Sequence, residues 1–204
     1  MRIEFKIDAA SMNDVKIALA KAEGIYPKVM SRAINSTLTT VRSDAVDAIA
    51  NDLNLTKTFI RNSFTIRRAT YTDVAGAVIS SSKPISLIHF IGTRQLAPGK
   101  GVSVRVKKSK PIIHFRHAFI AEAKGATQVW ERAEGIYMGR AWKRTFPYHH
   151  LPRNMRFPIE KMTGPRITDE YSKEQILNVV AARAGEVYAK NLDHELDYEL
   201  SQLK

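Results

Sequence analysis

Cysteine is absent from all 204 residues. That excludes disulfide staples, thiolate nucleophiles and cysteine-ligated zinc. Long apolar runs are also missing: nothing approaches the roughly 20 residues of a membrane-spanning helix. The opening MRIEFKIDAA lacks the apolar centre of a secretory signal. The expectation is a soluble protein made and used in a reducing cytoplasm. Acid is missing locally. No Asp or Glu occurs from Val74 to Ala121, while Lys83, Arg94, Lys100, Arg105, Lys107, Lys108, Lys110 and Arg116 all fall inside that stretch. A paired-carboxylate hydrolase or a magnesium nuclease would find few ligands there.

Catalytic motifs are missing too. The chain has no GxSxG, no GxxxxGK[ST], no GxGxxG and no HExxH. His114 lies near His117 and His149 adjoins His150, but no Asp or Glu stands at helical ligand spacing from either pair. Packing or loop histidines explain them, and no metal or cofactor is expected. Ser80-Ser81-Ser82 run into Lys83-Pro84, which is turn chemistry. Lys100 between two glycines is a weak phosphate-loop signal. Glu122, Glu131 and Glu134 could be brought together for catalysis on nucleic acid, yet their spacing does not require it. The expectation is a protein that is not an enzyme.

What the chain does have is positive charge, a formal +12 at pH 7. Nucleic acid, an anionic membrane surface and an acidic protein all fit such a balance. The charge is uneven. Residues 169–204 hold eight acids against four bases.

Hydrophobic periodicity gives an α+β reading. Residues 2–8 alternate as a half-buried strand, and a short helix is expected from Ser11 to about Glu23. Pro27 opens a long amphipathic helix, 27–51, with Met30, Ile34, Leu38, Val41, Ala45 and Ile49 on one face. Small residues along it (Ala33, Ser36, Ser43, Ala48, Ala50) permit close approach by a neighbour. Asn54-Leu55-Thr56 reads as the cap of a third helix reaching Ser63. Lys57 and Arg61 give that helix too few outward cations for a recognition helix. An antiparallel sheet or meander is expected over about 64–132, packed against the 27–51 helix. Residues 133–156 are basic, aromatic and interrupted by proline, and read as a loop. A long C-terminal helix is expected over 168–203, with acid in its first turn. These pieces read as a single α+β domain, 1–204.

The order of the segments carries a resemblance. A long small-residue helix is followed by LTKTFIRNSFTIRRAT, ISLIHF and a GVSVRVKKS hairpin. Then come Ala118-Phe119-Ile120, Val129-Trp130-Glu131-Arg132 and Pro158-Ile159-Glu160-Lys161-Met162-Thr163-Gly164-Pro165. Over about residues 25–200 this succession resembles the phage and prophage minor tail protein Z family. In that family an AFI-type segment, a strand ending in Arg and a PI-x-K-x-x-GP segment follow in the same order. The basic aromatic stretch 133–156 is a departure, because that connection is expected to be short.

The resemblance implies a structural role in tail completion, at or near the end of the tail that meets the head and the DNA. Implied partners are other tail proteins such as the terminator and tube, and further copies of the chain in a ring. Double-stranded DNA contacted without sequence specificity is also implied, and no membrane. The implied location is the virion tail, and the host cytoplasm during assembly. Candidate DNA- or partner-facing residues are Lys100, Arg105, Lys107, Lys108 and Lys110, with Arg67 and Arg68 second. Trp142, Arg144, Phe146 and Tyr148 are candidate anchors of an interface loop. A solvated hairpin with no partner explains the same cations. The alternative function is non-specific nucleic-acid binding by a protein of a mobile element.

Overall fold

A computed structural model of the chain describes residues 2–4, 24–97, 100–123, 125–132 and 159–202. The helix expected at 11–23 and the loop at 133–156 lie outside them. In chain order the elements are β1 (Arg2–Glu4), α1 (Ile25–Asp52), α2 (Lys57–Asn62), β2 (Phe64–Arg67), β3 (Ala77–Ser80) and β4 (Pro84–Ser86). A 3-10 turn (Leu87–His89) precedes β5 (Arg94–Gln95), β6 (Val102–Val104), β7 (Ile113–Phe115), β8 (Ala118–Ala123) and β9 (Ala126–Arg132). Last come β10 (Ile159–Lys161), β11 (Thr163–Arg166), α3 (Ile167–Tyr171) and α4 (Glu174–Gln202). The fold is α+β, with a long helix towards each end of the chain and small antiparallel sheets. Among the described residues no helix is long and apolar enough to cross a membrane.

The chain divides into two compact units. One comprises Met1–Asn51, Lys57–Lys83 and Arg166–Lys204; the other comprises Asp52–Thr56 and Pro84–Pro165.

In the first unit, α1 is buried along a broad stripe. Met30, Ile34, Leu38, Val41, Ala45 and Ile49 are all inside, and so are Val29, Ala33, Thr37 and Val46. The stripe is broad because α1 has two neighbours. Against α4, Val29, Met30 and Ala33 pack on Leu192, with Tyr188 and Leu196 beside them. The helices run antiparallel: Lys28 reaches Glu199, and Asn191 Nδ2 donates to Thr37 Oγ1 at 3.1 Å. On another side, a Cβ added at Gly76 would lie 2.4 Å from Leu38 Cδ1 and 2.9 Å from Ile34 Cγ2. Only glycine permits the chain entering β3 to come this close to α1.

The sheet of this unit has the order β1-β3-β2, both pairs antiparallel. Asn35 of α1 pairs with the segment after β2. Its Nδ2 donates to Ala69 O at 3.0 Å and its Oδ1 accepts from Ala69 N at 2.9 Å. α3 docks beside β3, where Thr168 Oγ1 donates to Ser81 O at 2.8 Å. The rings of Tyr171 and Phe64 meet edge to face, 5.4 Å apart. The C-terminal helix is not continuous from Thr168. Ser172 Oγ turns back to Asp169 O at 3.1 Å and Ser172 N to Thr168 O at 2.9 Å, closing α3 before α4 begins.

The second unit holds three small sheets: β5-β6-β7, β8-β9-β10 and the pair β4-β11. Leu53, Leu55, Ile85, Leu87, Phe90, Val102, Val104, Ala118, Val129, Trp130 and Ile159 are its buried apolar residues among those described. The ISLIHF segment starts as a strand and then turns. Leu87 O accepts from Phe90 N and from Thr93 Oγ1, and Leu87 N donates to Met162 O. A Cβ at Gly164 would lie 2.9 Å from the buried Phe90 ring. The middle of the chain is therefore several short sheets shared between two units, where the sequence suggests one meander.

Candidate nucleic-acid and partner interface

Charge is segregated between the units. By sequence the second unit holds fifteen Lys and Arg against five Asp and Glu, which is +10 of the chain's +12. The first unit is close to neutral.

The basic hairpin is built on β5-β6-β7. Arg94 pairs with Ser103 and Gln95 with Val102; across the other edge of β6, Ser103 pairs with His114 and Val104 with Ile113. Paired residues share a face, so this sheet is two-sided. One face carries Gln95, Val102, Val104, Ile113 and Phe115. The other carries Arg94, Ser103 and His114, with Arg105 two residues beyond Ser103. The turn into β6 depends on Gly101, whose φ is +83°. An added Cβ there would lie 1.9 Å from Phe115 O. Gly101 O accepts from Leu96 N and from Gln95 Nε2, both at 2.9 Å.

A short segment after α1 fastens the hairpin. Asn54 N donates to Val106 O at 2.9 Å, and Asn54 O accepts from Ile91 N at 2.9 Å. Its side-chain Nδ2 donates to Ile91 O at 2.7 Å and Arg105 O at 3.0 Å. Its amide thus ties two loops together, a role that its reading as part of a helix cap did not contain. Asp52 contributes as well: its carbonyl accepts from Lys108 N, and its carboxylate lies 3.2 Å from Lys107 Nζ.

The candidate cations separate accordingly. Lys100, Arg105, Lys107, Lys108 and Lys110 all belong to this hairpin and its turns. Lys100, Arg105, Lys108 and Lys110 are exposed, whereas Lys107 is partly buried against Asp52. Arg105 Nε donates to Lys110 O at 3.1 Å, so it also braces the loop. Arg67 and Arg68 belong to the first unit. Both are exposed, and Arg67 lies 3.9 Å from Asp73. Trp142, Arg144, Phe146 and Tyr148 lie outside the described residues. Lys57 of α2 lies 2.7 Å from Asp47.

Arg94, Arg116 and His114 are exposed members of the same surface that the sequence reading left out of its candidate set. Their signal was present in the acid-free stretch. Burial and, behind it, the charge of Lys161 push the pKa of His89 below its ordinary value. Glu122 and Glu131 sit on one hairpin but not together. Glu131 pairs with Ala118, four residues along β8 from Glu122, a separation of about 13 Å at ~3.3 Å per residue. Glu134 lies outside the described residues. Among the described residues no group of three or more His, Asp or Glu could hold a metal ion. Against family profiles, curated proteins and solved structures, the chain has no match.

Proposed function

We propose that this chain is a structural protein of a phage or prophage tail, acting in tail completion near the head-proximal end by binding rather than catalysis. Its partners in this reading are tail terminator or tube proteins, further copies of itself in a ring, and the DNA end. The observation that carries the proposal is a net charge of +10 in the sequence of one unit of a +12 chain, with seven of that unit's fifteen Lys and Arg (Arg94, Lys100, Arg105, Lys107, Lys108, Lys110 and Arg116) on a hairpin braced by Asn54 and Asp52. A braced cationic surface meets phosphates or acidic side chains without reading sequence. In a ring of like subunits each such charge is repeated around the axis.

Deleting the gene from its phage or prophage genome, followed by induction, particle imaging and titre, tests the proposal. The expected result is tails with an abnormal head-proximal end, or complete-looking particles that do not infect. Unchanged particles and titre would remove the tail assignment.

The exposure of Lys100, Arg105, Lys108 and Lys110 also favours a second reading, non-specific nucleic-acid binding by a protein of a mobile element. That reading requires tight, strongly salt-sensitive DNA affinity from the isolated chain. The tail reading requires weak affinity from the isolated chain and strong affinity for partner subunits.

A further inference from the structure

The basic hairpin carries more than charge. Among the described residues β7 is an edge strand of its sheet. Ile112 and Ile113, beside and on it, are 50% and 45% exposed, and Ile91 is 50% exposed. Ile91 is tied by its backbone through Asn54 to Arg105 and Val106. Exposed cations flank β7 along the chain, Arg105, Lys108 and Lys110 before it and Arg116 after it. A phosphate backbone gains from the cations but leaves the isoleucines in water. An edge carrying both kinds of group matches a protein segment that is acidic and apolar together.

We infer that β7 is a strand-addition site for an acidic protein segment whose residues alternate apolar and acidic. The inference rests on the hairpin being the partner-facing surface of the proposed function. It names the partner's chemistry. Alternation follows from the two faces of the sheet. A strand added beside β7 extends one face bearing Val104, Ile113 and Phe115, and another bearing Arg94, Ser103 and His114. Apolar residues of the incoming strand continue the first face and its acids continue the second, beside His114. Main-chain hydrogen bonds supply affinity in such additions, and alternate side chains supply selection. The same cations set two β7 edges against each other, which disfavours self-pairing and leaves the edge open to an acidic strand.

The test uses the full chain and a fluorescein-labelled peptide of eight residues, Val and Glu in alternation, followed by anisotropy. Controls are a Val–Lys alternating peptide, a peptide of four Val followed by four Glu, and a 20-base-pair duplex. The expected result is saturable binding of the alternating acidic peptide and much weaker binding of both control peptides. Ile113→Lys should weaken the alternating peptide about tenfold, and so should the exposed pair Lys108→Glu with Lys110→Glu. Circular dichroism checks that each variant is folded, and the second variant keeps the test valid if Ile113→Lys is not. Absence of binding overturns the inference, and so does equal binding of the blocked peptide. A duplex that binds more tightly and displaces the peptide overturns it in favour of DNA. Because the particle experiment does not depend on this peptide, a failed peptide with an intact tail phenotype removes only the inference.

Discussion

The side-chain amide of Asn54 donates to the carbonyl of Arg105 across 3.0 Å, fixing the start of the basic loop to the segment that follows α1. A second hydrogen bond, to Ile91 O at 2.7 Å, leaves from the same nitrogen. Asn54→Ala removes both donors and leaves two carbonyls to find water. The expected cost is about 1–2 kcal/mol, read as a lower denaturation midpoint with an unchanged slope. A midpoint equal to wild type would show that the amide is not what braces the loop.

Lys107 and Lys108 are adjacent but differ in role. Lys107 lies 3.2 Å from Asp52 with both side chains roughly one-third exposed, whereas Lys108 is exposed. Lys107→Ala is expected to cost about 0.5–1 kcal/mol of stability, and Lys108→Ala close to nothing. Both are expected to weaken polyanion binding on heparin or duplex DNA. Equal stability of the two variants contradicts the assignment of Asp52 to Lys107.

Gly101→Ala should be among the most damaging single changes in the hairpin. The position has φ +83°, and the new methyl group would meet the Phe115 carbonyl at 1.9 Å. Strain in the left-handed region alone costs about 1–2 kcal/mol, and the backbone must also move. Loss of protection from hydrogen exchange at Val102–Val104 is the expected readout. Wild-type protection there would refute it.

Tyr171 is 1% exposed, and its hydroxyl has no hydrogen-bond partner among the described residues. Burial raises its pKa to about 12. Tyr171→Phe keeps the edge-to-face contact with Phe64 and removes a buried, unpaired polar group. The expected outcome in thermal unfolding is equal or greater stability. A loss above about 1 kcal/mol would reveal a partner for the hydroxyl.

Glu199 gives the first unit a predictable acid response. A hydrogen bond from Lys28, with the charges of Lys28 and Arg32 behind it, holds its carboxyl below the ordinary range despite burial. In the unfolded chain the carboxyl returns to that range and takes up a proton first as pH falls. Its contribution is therefore complete above the ordinary carboxylate pKa and is lost as pH falls through the lowered folded value. Glu199→Gln should flatten that part of the stability curve. An unchanged acid limb contradicts the pairing.

Much of the first unit was legible because helix periodicity is a local signal. Met30, Ile34, Leu38, Val41, Ala45 and Ile49 form the expected buried face, and of the other small residues Ala33 and Ala50 are buried with them, whereas Ser43 and Ala48 are half-buried and Ser36 is exposed. The middle was less legible because strands of three or four residues carry little periodicity and their partners are distant in sequence. β2 and β3 read like the strands that follow, yet they pair within the unit that contains α1. The break between α3 and α4 falls at Ser172, whose hydroxyl and amide both bond back to carbonyls of α3, a local event that periodicity does not register. At the candidate interface, the acid-free stretch showed the cations. Asn54 was hidden because its role comes from contacts to residues 37 and 51 positions away. Ile112 and Ile113 read as ordinary strand residues until the sheet order placed them at an edge.

In the proposed function the exposed cations of this hairpin do the protein's work. The most direct measurement is complementation of a gene deletion with the Lys100→Glu, Lys108→Glu, Lys110→Glu chain, after confirming that its thermal unfolding matches wild type. The expected result is a folded protein whose particles are as defective as those of the deletion. Full restoration of titre by the charge-reversed chain would contradict it.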